Sequence, residues 1–384
     1  MRFEFVTATR IIFGRGTVKD TGSIVGKMGR RAFVITGRSV ERSQPLIGQL
    51  QDSGIDVTQF RVPAEPTTQL ALAAVEEARS QRGDMVVAMG GGSVLDTGKV
   101  VAALLTNSGR LMDYLEVIGQ GQPLKRKSAP LVAIPTTAGT GTEVTSNSVL
   151  DSPEHHVKVS MRSPYMLPDL AIVDPELTYS MPRGLTAVTG LDAFTQLLEA
   201  FVSVQANPLT DGICREGLQR AARSLKRVYH DGQDGAAREN MCLASLFGGL
   251  ALANAKLGAV HGFAGPLGGM YPAAHGALCA ALLPFVMEAN IKALQSRASD
   301  SPARDRYDEV ARLITGSPAA RAADGIAWVR NLYEQLEVKP LAAYGIELKE
   351  FTAIVAKARK ASSMKGNPIE LTEEELLEIL HNAV

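Results

Sequence analysis

The sequence predicts two domains: an α/β half built on a parallel sheet over residues 1–180, and an all-helical half over residues 181–384. Three observations carry this. Up to Met181-Pro182, short apolar runs bounded by glycine and proline alternate with helical periods. Two of those runs end in glycine-rich or hydroxyl-rich turns, as buried parallel strands do when they feed helices. Beyond Pro182 the short runs stop and long helical periods take over.

At 384 residues the chain has ample length for a large core. Its 40 basic side chains balance its 40 acidic ones, so charge gives no reason to expect a nucleic-acid or membrane-surface partner. No run of about 18 apolar residues is free of breakers, which predicts no membrane span. The start, Met1-Arg2-Phe3-Glu4-Phe5, lacks a basic-then-apolar leader pattern. Cys214, Cys242 and Cys279 are scattered and odd in number, which predicts no disulfide framework and suits a cytoplasmic location.

Taken in order, Phe3 to Phe13 reads as edge strands running into Gly14-Arg15-Gly16. A dinucleotide fingerprint would need a third glycine at position 19, where Lys19 stands, so a simple strand-to-helix turn is the reading. Residues 31–36 form a short apolar strand followed by Gly37-Arg38-Ser39. An acidic residue at such a strand tip would bind a ribose 2′-hydroxyl and repel a 2′-phosphate; here there is a glycine and then an arginine. A helix over 66–83 precedes a buried strand over 84–90, which runs into Gly90-Gly91-Gly92-Ser93-Val94-Leu95-Asp96. Successive glycines between strand and helix can turn backbone N–H groups toward a phosphate. A nucleoside-triphosphate loop is excluded, because five residues separate Gly92 from Gly98 and Val100 replaces the Mg²⁺-binding hydroxyl. A strand over 130–134 leads to Thr136, Thr137, Thr142 and Asn147, whose polar side chains suit a pyrophosphate or ribose. Residues 169–174 form the last strand, and His155 and His156 lie in a solvated turn.

In the second half, Leu185 to Val202 is helical and places Asp192 and Gln196 at i and i+4 on one face. A carboxylate and an amide among apolar neighbours are costly unless something satisfies them; a cation would, and so would a hydrogen bond between the two. His261 and His275, two of only six histidines, share one Gly/Pro-punctuated segment between helical runs at Leu250–Val260 and Ala277–Leu283. Imidazole is a common metal ligand, and a glycine beside each histidine would let a substrate approach; two histidines capping helices beside a tight turn is the alternative. Further helices are predicted over 207–227 and 236–257. Trp328 belongs to an amphipathic helix, residues 362–368 to a loop, and Thr372 with Glu375 to a capping box. His230 and His381 read as surface residues.

Gly90-Gly-Gly-Ser-Val-Leu-Asp96, Pro135-Thr-Thr-Ala-Gly-Thr-Gly-Thr-Glu143, Gly190-Leu-Asp-Ala-Phe-Thr-Gln-Leu-Leu-Glu-Ala200 and His261…His275-Gly276 together resemble the iron-containing (group III) alcohol dehydrogenase family. The resemblance covers essentially the whole chain. It implies a Rossmann-like dinucleotide-binding domain, a dehydroquinate synthase-like all-α metal-binding domain, a metal in the cleft between them, and a homodimer or higher homo-oligomer. Carried over, the metal ligands are Asp192, Gln196, His261 and His275, with Asp192, His261 and His275 central to catalysis. Gln196 departs from the family's histidine; an amide oxygen is a weaker donor, which leaves Fe²⁺ and Zn²⁺ both open. Gly265 stands where many relatives have a histidine, which widens the pocket and leaves proton transfer to water or a ribose hydroxyl. NAD(P)H is implied, with Gly91, Gly92 and Ser93 at the pyrophosphate and Thr136, Thr137 and Thr142 near adenine and ribose. Asp96 and Lys158 would line the nicotinamide end, and Asn147 and Leu185 complete the set. The tip Gly37-Arg38-Ser39 favours NADP slightly. The implied reaction is reversible hydride transfer between a primary alcohol or aldehyde and nicotinamide, with the metal as Lewis acid. A metal-independent reductase of the maleylacetate type, a lyase of the dehydroquinate-synthase type and a non-catalytic nucleotide sensor are the alternatives on the same architecture.

Overall fold

The structure, a computed structural model, describes residues 2–384 and divides into two compact units. One comprises Thr7–Thr137 and Gly141–Tyr179. The other comprises Ser180–Val384, the N-terminal segment through Val6, and Ala138–Thr140.

The first unit runs β1 (Arg10–Phe13), α1 (Thr21–Val25), β2 (Arg31–Thr36), α2 (Val40–Asp52), β3 (Asp56–Arg61), α3 (Thr68–Ser80), β4 (Met85–Gly90), α4 (Gly92–Thr106), α5 (Leu111–Tyr114), β5 (Leu131–Pro135), β6 (Asn147–Ser152), β7 (Val157–Arg162) and β8 (Leu170–Val173). Six strands form one all-parallel sheet in the order β1-β8-β5-β4-β2-β3, while β6 and β7 pair separately as an antiparallel hairpin. Strands β4, β5 and β8, and β2 from Ala32 to Ile35, are apolar throughout because both faces are covered. Phe33, Ile35, Val86, Ala88, Leu131 and Ala133 pack with Ala71 and Val75 of α3 and Val100 and Val101 of α4. The alternate residues Val34, Val87, Val132 and Ile134 pack with Leu46 and Leu50 of α2.

β3 lies on one side of β2 and β4 on the other, so the chain leaves these neighbouring strands in opposite directions. Their carboxyl ends sit level, with Thr36 opposite Met89. Such a switch point opens the crevice where doubly wound sheets bind ligands. It brings Gly37-Arg38-Ser39 beside Gly91-Gly92-Ser93: a Cβ on Gly37 would stand 4.0 Å from Val94 Cγ2.

The expected strand from Phe3 is shorter in the structure. Only Arg10–Phe13 pairs, along the sheet edge with β8. Val6 instead exchanges two hydrogen bonds with the Asn254 side chain, at 2.6 and 2.9 Å, so a side-chain amide takes the place of a neighbouring strand. In the turn after β1, the N–H groups of Gly16 and Val18 donate to the Asp174 carboxylate at 3.0 and 3.1 Å. The half-fingerprint there already holds an anion of the chain's own.

The second unit holds α6 (Arg183–Val202), α7 (Pro208–His230), α8 (Gly235–Ala255), α9 (Ala259–Met270), α10 (His275–Arg297), α11 (Pro302–Thr315), α12 (Ala322–Gln335), α13 (Phe351–Ala358) and α14 (Glu373–Ala383). The helical run expected over Leu250–Val260 breaks after Ala255, where Lys256 takes φ 57° and the chain bends by 98° into α9. The Gly/Pro-punctuated segment is itself mostly helix, with Pro266 inside α9. Burial of Val260, Phe263, Ala264 and Leu267 outweighs the poor propensity of its glycines. By length and composition, α6 and α10 are apolar enough to cross a membrane. Interior glycines and single polar residues hide that apolarity from a search for unbroken runs. Here it serves the protein's own core, since 83 % and 72 % of their apolar windows are buried within the protein.

One polar cluster ties α4 to the segment after β5. The buried Lys99 ammonium donates to Thr142 Oγ1, Thr145 Oγ1 and the Asn147 carbonyl at 3.0, 2.7 and 2.8 Å. Thr142 in turn donates to Asp96 Oδ1 at 2.7 Å. Burial pulls Lys99 down to about 8 despite Asp96 and Glu143, and pushes the Glu143 carboxyl up to about 7 against the attraction of Lys99. Unfolded, Glu143 titrates at its ordinary value of 4.5. Between those two values the folded chain holds the extra proton, so stability falls as pH rises. Glu143→Gln removes that loss. In urea unfolding at about pH 8 the variant is expected to gain on the order of 1–3 kcal/mol over the parent, with a much smaller gap at about pH 5. Equal gaps at both pH values would refute this account of Glu143.

Candidate metal centre

On α6, Asp192, Gln196 and Glu199 follow at i, i+4 and i+7, so all three project from one face, and all are buried. Glu199 anchors the start of α9. Its Oε1 accepts from Val260 N at 2.6 Å and its Oε2 from His261 N at 3.4 Å, while Asn367 Oδ1 accepts from Ala259 N at 3.1 Å. A carboxylate at a helix N-terminus is favoured by the aligned peptide dipoles. A Cβ on Gly258 would come within 2.8 Å of Asn367 Oδ1 and 2.9 Å of Glu199 Oε1, so a larger residue there would push against both acceptors.

Glu199 Oε2 also lies 2.7 Å from His261 Nδ1. A carboxylate accepts, so Nδ1 carries the proton and the lone pair of Nε2 is turned the other way, toward Asp192. His261 Nε2 is 3.3 Å from Asp192 Oδ1, yet neither atom has a hydrogen-bond partner. His275 opens α10, with its Nε2 4.0 Å from the same Asp192 oxygen. Cys279, one turn further along α10, places Sγ 3.7 Å from His275 Nε2. The donor atoms of Asp192, His261, His275 and Cys279 all lie within 4.8 Å of one another.

The expectation that the glycines beside the histidines open space for a substrate is not met. A Cβ on Gly262 would fall 2.8 Å from Met364 Cε, and one on Gly276 would fall 2.6 Å from the Val188 carbonyl. Gly262 packs α9 against Met364, while the close packing at Gly276 draws α10 against α6 and brings His275 to Asp192. The side of Gly265 is open instead, with no atom within 4 Å of where its Cβ would be.

The electrostatics suit a cation. Burial by itself pushes Asp192 up, but the neighbouring His261 and His275 and a bond from Cys279 outweigh it and hold the carboxyl below its usual value. Burial would lower His261; Cys279, Asp192 and Glu199 instead lift it well above the ordinary histidine range. A divalent ion would satisfy the orphaned Asp192 Oδ1 and His261 Nε2 together. Carboxylate oxygen, two imidazole nitrogens and sulfur are a donor set that borderline divalent metals accept. Gln196 is placed differently from the other three expected ligands. Its Nε2 donates to Asp192 Oδ2 and to the Thr140 carbonyl at 3.3 and 3.4 Å, and its Oε1 is buried without a partner.

In the first unit, Gly91 is the N-cap of α4 and no side chain caps that helix, as a phosphate site at Gly91, Gly92 and Ser93 requires. A Cβ on Gly91 would meet Thr137 Cγ2 at 3.4 Å. The other glycines of this stretch pack: Cβ atoms on Gly90 and Gly98 would fall 2.4 Å from Val94 Cγ2 and 2.7 Å from Ala88 Cβ. Ser39 is the N-cap of α2 without a side-chain bond, and Arg38 Nε donates to the Pro63 carbonyl. Thr136 is buried, with its N–H on the Gly90 carbonyl at 2.9 Å. The hydroxyl of Thr142 is engaged by Lys99 and Asp96, and Asp96 Oδ2 accepts from Val149 N at 3.2 Å. Asn147 contributes its carbonyl to Lys99. Lys158 pairs with Glu65 at 2.7 Å, and Leu185 is an exposed residue of α6. Sequence reasoning misses two residues of the candidate metal centre, Glu199 and Cys279. Helical spacing held a signal for both: Glu199 is seven residues after Asp192, and Cys279 four after His275.

The sequence model described as iron-containing alcohol dehydrogenase matches residues 8–175, and that of the Fe-containing alcohol dehydrogenase family C-terminal domain matches residues 186–384. The chain belongs to the iron-containing alcohol dehydrogenase family. It is 34 % identical over 375 residues to choline dehydrogenase of Bacillus subtilis, covering 96 % of this chain and 92 % of that one. It is 42 % identical over 293 residues to long-chain-alcohol dehydrogenase 1 of Geobacillus thermodenitrificans, covering 73 % of each. A crystal structure of 1,3-propanediol oxidoreductase superposes with a TM-score of 0.92 at 30 % identity, over the full length of both chains. The α/β unit with its parallel six-stranded sheet and the helical unit are those of this family, whose members bind NAD(P) and a metal.

Glu199→Gln keeps the shape of the side chain but removes the charge that orients His261. It is expected to weaken divalent-metal affinity by about 10–100-fold, as loss of such an outer carboxylate does elsewhere. A competition titration against a chromogenic chelator measures this, and unchanged affinity would show that Glu199 acts on α9 alone.

Proposed function

We propose that this alcohol dehydrogenase carries out reversible hydride transfer between a primary alcohol or aldehyde and NAD(P), with NADP preferred, and depends on a divalent cation, Fe²⁺ or Zn²⁺, held by Asp192, His261 and His275. The observation that carries the reading is the convergence of those three side chains, with Asp192 Oδ1 and His261 Nε2 buried and unpartnered. A cation bound there supplies Lewis acidity to the substrate oxygen, lowering the pKa of an alcohol and polarising an aldehyde. Asp192 contributes the negative charge that retains it. Glu199 holds His261 in the tautomer that offers Nε2. No imidazole stands at position 265 to carry the alcohol proton, so water or a ribose hydroxyl takes that part.

The preference for NADP rests on the tip of β2. An acidic side chain there would bind a ribose diol and repel a 2′-phosphate; Gly37 offers neither, and its side is open apart from Val94. The open side of Gly265 and the similarity to a long-chain-alcohol dehydrogenase favour medium or long primary alcohols over the smallest ones. The proposal also takes the enzyme as a cytoplasmic homodimer or higher homo-oligomer.

A panel of primary alcohols and aldehydes, read by nicotinamide absorbance, tests the reading. Chelator-stripped protein is expected to lose activity and to regain it with Fe²⁺ or Zn²⁺. Full turnover by metal-free protein would favour the metal-independent reductase instead. Higher kcat/KM with NADPH than with NADH is expected, and Gly37→Asp should shift the ratio toward NADH by about tenfold or more. A strong NADH preference in the parent enzyme would overturn the cofactor assignment.

A further inference from the structure

We infer that Cys279, as a thiolate, is the fourth protein ligand of this metal, in the place that the resemblance gave to Gln196. The inference rests on the metal-dependent reading above and specifies its donor set. Cys279 is one turn after His275 on the same face of α10, and its Sγ lies 3.7 Å from His275 Nε2. For a tetrahedral ion with ordinary metal–sulfur and metal–nitrogen bonds, neighbouring donors stand roughly 3.3–3.6 Å apart. The pairs Cys279–His275 at 3.7 Å, Asp192–His261 at 3.3 Å and Asp192–His275 at 4.0 Å lie close to that figure before any ion draws them in.

Gln196 spends its amide on neighbours within the protein. Its amide nitrogen, a donor with no lone pair to give, faces the carboxylate of Asp192 and the carbonyl of Thr140. Its oxygen is directed at Gly248, 2.8 Å from where a Cβ would sit there. Gln196 therefore positions Asp192: the bond to Oδ2 leaves Oδ1 for the ion. When the ion binds Cys279, the S–H bond breaks, a metal–sulfur bond forms and the proton leaves to solvent. A set of one carboxylate, two imidazoles and one thiolate is softer than a carboxylate with three nitrogen donors. It favours Zn²⁺ and Co²⁺ over the harder divalent ions.

The test uses the full-length enzyme, stripped with chelator and reconstituted with Co²⁺, and reads its absorption spectrum. A near-ultraviolet sulfur-to-cobalt charge-transfer band is expected at one bound cobalt per chain. Cys279→Ser should abolish the band and weaken cobalt binding by about tenfold or more, while Gln196→Ala keeps the band. One cobalt per chain with restored activity but no band overturns the sulfur ligand and leaves the dehydrogenase reading standing. The same holds if Gln196→Ala loses cobalt while Cys279→Ser binds it as the parent does. Failure to bind cobalt together with full activity in metal-free protein would overturn both.

Discussion

Asp192 is a buried carboxylate whose Oδ1 faces His261 Nε2 at 3.3 Å and has no hydrogen-bond partner. An uncompensated charge in a protein interior is among the most costly features a fold can carry, so such an atom implies a partner of opposite charge. The helical unit is arranged around supplying one. Glu199 fixes both the start of α9 and the orientation of His261. Gly276 admits α10 to van der Waals range of α6, which places His275 and Cys279 within reach of the same oxygen. The surrounding structure also resists relaxation, because α6 is buried along nearly its whole length from Thr186 to Val202.

The α/β unit is organised by topology rather than by charge. Its strand order puts the ends of β2 and β4 side by side at the point where the chain reverses direction across the sheet. Close approach of α4 to β4, allowed by Gly98, brings that helix's N-terminus to the same edge. The Lys99–Thr142–Asp96 bonds then hold the segment after β5 to α4. Hydroxyls and charges that look available in the sequence are in part spent on this internal work, as in the hydrogen bond from Thr142 to Asp96.

Much of this was legible in the sequence. The apolar runs at 31–36, 84–90, 130–134 and 169–174 located the main strands, because a strand buried on both faces needs an unbroken apolar run. Asp192, His261 and His275 were identifiable through rarity and spacing, with the family resemblance linking them. Gln196 was also singled out, but its orientation could not be read: an amide presents a donor and an acceptor, and only its neighbours decide which points inward. The segment around His261 was harder still. Glycine and proline content argued against helix, and burial of Phe263 and Leu267 decided in its favour.

The amino-acid order alone determined the parallel α/β half, the helical half and the residue types able to grip a cation, since periodicity and side-chain chemistry are local properties. Tertiary structure alone decided which atoms converge. Glu199 and His261 are 62 positions apart in the chain yet 2.7 Å apart in space. Cys279 becomes a neighbour of Asp192 only because α10 docks on α6. Contacts of that kind depend on how helices pack, and no local pattern along a chain records the packing.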